Sequence, residues 1–142
     1  MTKLTEFEQM GGRKSLITIN KIFYDKVYQH PWLKLFFENI PQQHIEDQQV
    51  DFMQKVLGGE NRYWGKAPPV AHVHIFINEE IFDVRNQLLE EAFIEANASP
   101  ILIDKWRIID NSFKRVLMKE SPAHCKRRFN SDPILAFPNP EK

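Results

Sequence analysis

Apolar residues recur along most of this chain at intervals of three and four, the spacing of one face of an α-helix, and nowhere alternate with period two over a useful length. Over residues 13–29, Leu16, Ile19, Phe23 and Val27 form such a stripe, with Ile17, Tyr24 and Tyr28 beside it. Gly11-Gly12 breaks this helix from a short one before it. Pro31 ends it, because proline disfavours helical geometry at the preceding residue. After the turn WLKLFF (32–37), Pro41 suits the first turn of a helix over residues 42–57. Its inward face reads Ile45, Gln49, Phe52, Met53 and Val56, and Gly58-Gly59 stops it.

A loop of mixed chemistry, ENRYWGKAPP (60–69), precedes a brief helix predicted at 70–74. Asn78 reads as an N-cap, with Glu79 and Glu80 favouring the dipole in the first turn. The helix it opens carries Ile81, Arg85, Leu88 and Ala92 on one face, and Phe82, Leu89, Phe93 and Ala96 next to them. Ser99-Pro100 opens a last helix with Leu102, Trp106, Ile109, Phe113, Val116 and Leu117 at helical spacing. The expected class is all-α, with a domain over residues 1–120. Residues 121–142 read as an extended or flexible C-terminal extension, basic at first (HCKRR, a solvated face) and then proline-spaced.

The length of 142 residues suits one domain, and 19 lysines and arginines balance 19 aspartates and glutamates. That balance gives no reason to expect nucleic acid or an anionic membrane as partner. The single cysteine, Cys125, excludes an intramolecular disulfide framework and a multi-cysteine metal site. With no signal-like run and no membrane-length apolar stretch, a reducing, cytoplasmic home fits best. Eleven phenylalanines and three tryptophans can fill a core or line a pocket around a flat apolar ligand.

Three polar residues interrupt the apolar stripes: Tyr24, Gln49 and Arg85. A buried amide or hydroxyl without a partner costs about 1–3 kcal/mol, so each must find one. Bonds to nearby backbone, and an arginine snorkelling to water, would satisfy them. An apolar pocket with convergent donors would do so as well. Among the five histidines, His72 and His74 form an H-x-H pair in AHVHIF. Such a pair on a strand could bind zinc, but no cysteine and no obvious carboxylate completes the site. On a short helix the two point about 200° apart, so only one faces inward.

The order of these features resembles the truncated haemoglobins, the two-over-two helical globins, and most of all their first group. FEQMGG (7–12) looks like the opening glycine motif, and FYDKVYQHPWLKLFF (23–37) like the family's FYxRVxxDPxLxxFF. QQVDFMQKVLGG (48–59), YWG (63–65) and AHVHIFINEEIFD (71–83) follow in family order at compatible spacings. The resemblance implies one haem b (iron protoporphyrin IX), with His72 as its proximal iron ligand. It places Phe37, Ile45, Phe52, Met53, Tyr63 and Phe82 in the pocket, Phe37 against the cofactor edge and Tyr63 near a propionate. Tyr24 and Gln49 fall on the distal pair that hydrogen-bonds the bound gas, and Ile45 lies over it.

His44 and His74 are candidates for a sixth iron ligand, so the iron is expected to be five- or six-coordinate. Arg85 stands where the family often has an apolar residue or tryptophan, and could reach a propionate or a carboxylate such as Asp83 or Glu90. The implied function is a haem-binding globin that binds dioxygen, nitric oxide or carbon monoxide. Nitric oxide dioxygenase or peroxidase-like redox chemistry would be its activity. An unidentified reductase would be its partner, and the chain a monomer or weak homo-oligomer. The alternative is a haem-based gas or redox sensor that signals to a partner through the C-terminal tail.

Overall fold

A reciprocal cap starts the fold. Thr5 Oγ1 accepts the amide of Glu8 at 3.1 Å while the Glu8 carboxylate accepts the amide of Thr5, holding the four-residue helix α1 (Glu6–Gln9). The computed structural model describes residues 4–67, 71–129 and 131–141, and among these the regular elements are all helical. Helix α2 (Gly12–Gln29) follows α1 directly. Gly11, at φ 112°, supplies the turn, and a Cβ there would come within 2.7 Å of the Ser15 Cβ. His30 leaves α2 at ψ 128°, the extended geometry that Pro31 imposes. Its Nδ1 accepts the amides of Trp32 and Leu33 (3.1 and 3.2 Å), which starts a short 3-10 helix at Leu33–Phe37.

Three long helices follow, α3 (Gln42–Val56), α4 (Glu79–Glu95) and α5 (Pro100–Leu117), with a 3-10 turn at Pro122–His124 after them. The stripe Leu16, Ile19, Phe23 and Val27 is buried where α2 packs against both α3 and α4. Asn78 caps α4 by accepting the Ile81 amide at 2.9 Å. Asn97, at φ 53°, turns the chain from α4 into α5, and the rings of Phe93 and Trp106 meet edge to face at 5.3 Å across the pair. The pairs α2–α3 and α4–α5 form the two-over-two arrangement around one core.

The first and third helices meet at a glycine. A Cβ on Gly59 would lie 2.9 Å from the ring of Phe7 and 2.7 Å from Gln54 Cγ, so only hydrogen leaves room for α1 to close on the end of α3. Gln54, buried at that junction, accepts from Arg13 (2.9 Å) and donates to the Glu60 carbonyl (2.9 Å).

The α3 stripe departs from its predicted inward face. Val50 and Met53 are the tightly buried apolar positions, Ile45, Gln49 and Phe52 are half-buried, and Val56 is exposed. The reason is that Ile45, Gln49 and Phe52 line a cavity instead of packed core. Glu46 is buried as well, accepting from Gln42 at 2.8 Å. Val116 of α5, predicted inward, is likewise exposed.

Of the brief helix predicted at 70–74, Val70 lies outside the described residues, Ala71 is helical with its amide donating to Ala67 O (2.9 Å), and His72 to His74 form a turn closed by Ile75 N donating to His72 O (3.0 Å). Carbonyls that a helix would use internally go elsewhere here. Val73 O accepts from Lys126 N (2.8 Å) and His74 O from Leu135 N (2.9 Å). These partners belong to the C-terminal extension, which folds back over the turn. Phe76 N donates to Leu135 O (2.8 Å), giving one parallel bridge between Ile75 and Leu135. Trp32 Nε1 donates to Phe137 O (2.7 Å), and the rings of Phe36 and Phe137 meet edge to face at 5.0 Å. In the basic run, Arg128 makes a two-pronged pair with the buried Asp132 (both contacts 3.0 Å), so it is more than a solvated charge.

Candidate functional site

A cavity of about 330 Å³ opens between the helix pairs, within the range of small-molecule sites. Its walls are largely apolar: Phe23 and Val27 from α2, Ile45, Phe52 and Met53 from α3, and Phe82 from α4. Phe37, Tyr63, Tyr24, Gln49, His72 and His74 line it too. Every site residue expected from the sequence therefore reaches this cavity except His44. That residue is exposed on α3, so the structure does not bring it to the site.

Tyr24 is buried, with its ring edge-on to Phe23 (4.8 Å between centroids) and to Phe37 (6.0 Å). Burial pushes its ionisation well above the usual tyrosine range, opposed in part by the nearby charge of Arg85. It is held as a neutral donor. Tyr28 beside it donates to the Ile40 carbonyl at 2.7 Å and fixes the corner that carries Phe37, whose ring it meets at 5.4 Å. Tyr63 packs edge-on to Phe52 at 5.3 Å and donates from its hydroxyl to the Lys66 carbonyl.

Both residues of the H-x-H pair line the cavity, where a helical segment would turn only one of them inward. The tail and Lys119 hold the segment as a turn instead. His74 is buried, and its Nδ1 is the one buried side-chain polar atom left without a partner among the described residues. Burial lowers its pKa, as do the charges of Arg128 and Lys119, against an opposing pull from Asp132. It is therefore kept neutral, the form that ligates metals. Among the described residues no three His, Cys, Asp or Glu side chains cluster as a bare-ion site, so no third such residue joins the H-x-H pair there.

Arg85 reaches neither Asp83 nor Glu90. Nη1 lies 2.6 Å and Nη2 3.2 Å from the two carboxylate oxygens of Asp110 on α5, and Nη1 also donates to Asn86 (3.0 Å). Glu90 is engaged by Arg107 (2.7 and 3.0 Å), and Asp83 points to solvent. Sequence reasoning missed Asp110 and Lys119. A carboxylate between Ile109 and Phe113 in the last apolar stripe was the signal for the first. Lys119, beyond the end of α5, offered none.

The chemistry of this site fits a haem. Aromatic and aliphatic walls suit a flat apolar macrocycle, and a buried imidazole nitrogen has no partner. Tyrosine, glutamine and arginine come from different helices into the same space. Residues 5–119 match the family described as bacterial-like globin. The chain is 31% identical over 116 residues to a group 1 truncated hemoglobin of Tetrahymena thermophila, covering 81% of this chain and 96% of that protein. A counterpart from Tetrahymena pyriformis is 30% identical over the same span.

The solved structure of the T. pyriformis truncated hemoglobin in its Fe(III) form matches with a TM-score of 0.69 at 26% identity, over 80% of this chain and 97% of that one. A 2/2 hemoglobin of Synechococcus, solved in the cyanomet state with covalently attached heme, gives 0.69 at 26% identity over 79% and 96%. No helix among the described residues is long and apolar enough to cross a membrane. By sequence family, fold and the chemistry of its cavity, this chain belongs to the group 1 truncated haemoglobins and is a globin that binds haem b.

Proposed function

We propose that His72 is the proximal ligand to the haem iron and that Tyr24 and Gln49 hold a diatomic gas on the opposite face. Bound haem supplies a ferrous iron able to coordinate dioxygen, nitric oxide or carbon monoxide. The carrying observation is that a neutral tyrosine from α2 and a glutamine from α3 line the same apolar cavity as the two histidines of the 72–74 turn. A hydroxyl and an amide fixed in a medium of low polarity stabilise negative charge on a ligand more than they would in water. Phe37, Ile45, Phe52, Met53 and Phe82 give that space apolar walls, and Tyr63 lines it with them.

Such a pair favours slow oxygen release. It therefore suits oxygen-dependent removal of nitric oxide, with a reductase as electron donor, better than bulk oxygen carriage. The test of the ligand assignment is hemin uptake by His72→Ala and His74→Ala. Loss of the Soret band in the first and its persistence in the second support the assignment. The reverse pattern transfers the proximal role to His74.

A second reading, a gas or redox sensor, is favoured by the main-chain pairing of Leu135 with His74 and Phe76, which links the tail to the turn carrying both imidazoles. Amide exchange at Phe76, Lys126 and Leu135, measured in the ferrous protein with and without carbon monoxide, tests it. Identical protection in both states leaves the sensor without a signal.

A further inference from the structure

We propose that Arg85, held in place by Asp110, makes this cavity a binding site for small anions beside Tyr24, of the class of azide, fluoride, nitrite or hydroperoxide. This rests on the haem reading of the site, since such anions would bind at the ferric iron. A guanidinium has five N–H donors. Three are engaged, two by Asp110 and one by Asn86. The Nε–H and the second hydrogen on Nη2 have no hydrogen-bond partner among the described residues, in a side chain that lines the cavity wall.

Position brings this cation to the gas-binding side. The Arg85 guanidinium lies 5.7 Å from the centre of the Phe23 ring, and Phe23 lies 4.8 Å from the ring of Tyr24. Asp110 also lines the cavity, so the field of the pair could in principle cancel. At Tyr24 it does not: the charge of Arg85 favours the phenolate more than that of Asp110 disfavours it. The positive end of the pair is therefore the one felt more strongly at the tyrosine, across the Phe23 ring that lies against both. A fixed cation and a neutral phenol donor converging on one apolar space favour a full negative charge far more than a neutral gas. A purely structural role explains the arrangement poorly, because an ion pair that is only half-buried, its side chains 30% and 19% exposed, adds little stability.

The test uses the ferric holoprotein titrated with azide and with fluoride, read by absorption, and the ferrous protein titrated with carbon monoxide as a neutral control. Arg85→Gln and the neutral pair Arg85→Gln with Asp110→Asn are compared with the wild type. The second keeps an amide–amide contact and avoids leaving the half-buried Asp110 carboxylate unpaired. Both are expected to weaken the two anions on the order of tenfold and to change carbon monoxide affinity by less than about twofold. Arg85→Lys, which keeps the charge, should recover most of the anion affinity. Anion affinities equal to wild type in either neutral variant overturn the inference, as does an equal loss for carbon monoxide. A wild-type protein that takes up no hemin overturns the haem site and this inference together, whereas hemin uptake with anion affinity indifferent to Arg85 overturns this inference alone.

Discussion

The ammonium of Lys119 donates to the main-chain carbonyls of His72 (3.0 Å) and Ile75 (2.7 Å), so the residue just beyond α5 holds the turn that carries both cavity imidazoles. A third bond, to Leu117 O at 3.1 Å, ties the ammonium to the end of α5 itself. Lys119→Met removes all three and leaves carbonyls short of partners. The expected loss is about 1–3 kcal/mol of stability, with hemin dissociating faster. Thermal melting and hemin transfer to an acceptor globin measure the two effects. An unchanged transfer rate would falsify the link between Lys119 and the proximal turn.

Tyr24→Phe and Gln49→Leu each remove one polar group from the cavity while keeping its volume nearly constant. Each should raise the oxygen off-rate about tenfold for every 1.4 kcal/mol of hydrogen bond lost, with a smaller effect on carbon monoxide. Stopped-flow displacement of oxygen reads this directly. Off-rates unchanged in both variants would remove the distal pair from the gas-binding role.

Gly59→Ala places a methyl group where the Phe7 ring and Gln54 Cγ already stand. Neither neighbour can yield without disturbing the α1–α3 junction, so a cost of about 1–3 kcal/mol is expected. For a chain of this size that lowers Tm by roughly 2–4 °C per kcal/mol. A melting temperature equal to wild type would show that the junction relaxes freely.

Tyr24, Tyr28 and Tyr63 all have their ionisation raised, in each case first by burial. A folded pKa above the unfolded value of about 10 means that folding favours the neutral phenol. That contribution is fully present below about pH 10 and is lost as pH rises through the folded values. Phenolate absorbance of the native protein should therefore lag behind that of the urea-unfolded chain above about pH 10. Coincident titration curves would mean that the rings are open to solvent.

The helices, their ends and the polar intruders were legible in the sequence because each depends on neighbours a few positions away. Proline at 31 sets the geometry of His30, Asn78 caps the helix beginning one residue later, and apolar spacing picks out Leu16, Ile19, Phe23 and Val27. The same periodicity exposed Tyr24, Gln49 and Arg85 as out of place, and the order of the motifs pointed to a haem pocket. What those residues touch was settled by contacts with no local signature. Arg85 meets Asp110 from 25 positions away, Lys119 reaches His72 across 47, and Trp32 donates to Phe137 across 105. Chain folding alone brings such pairs together. For that reason only the tertiary structure could place His74 in the cavity beside His72, leave His44 outside it, and lay the C-terminal extension across the imidazole turn.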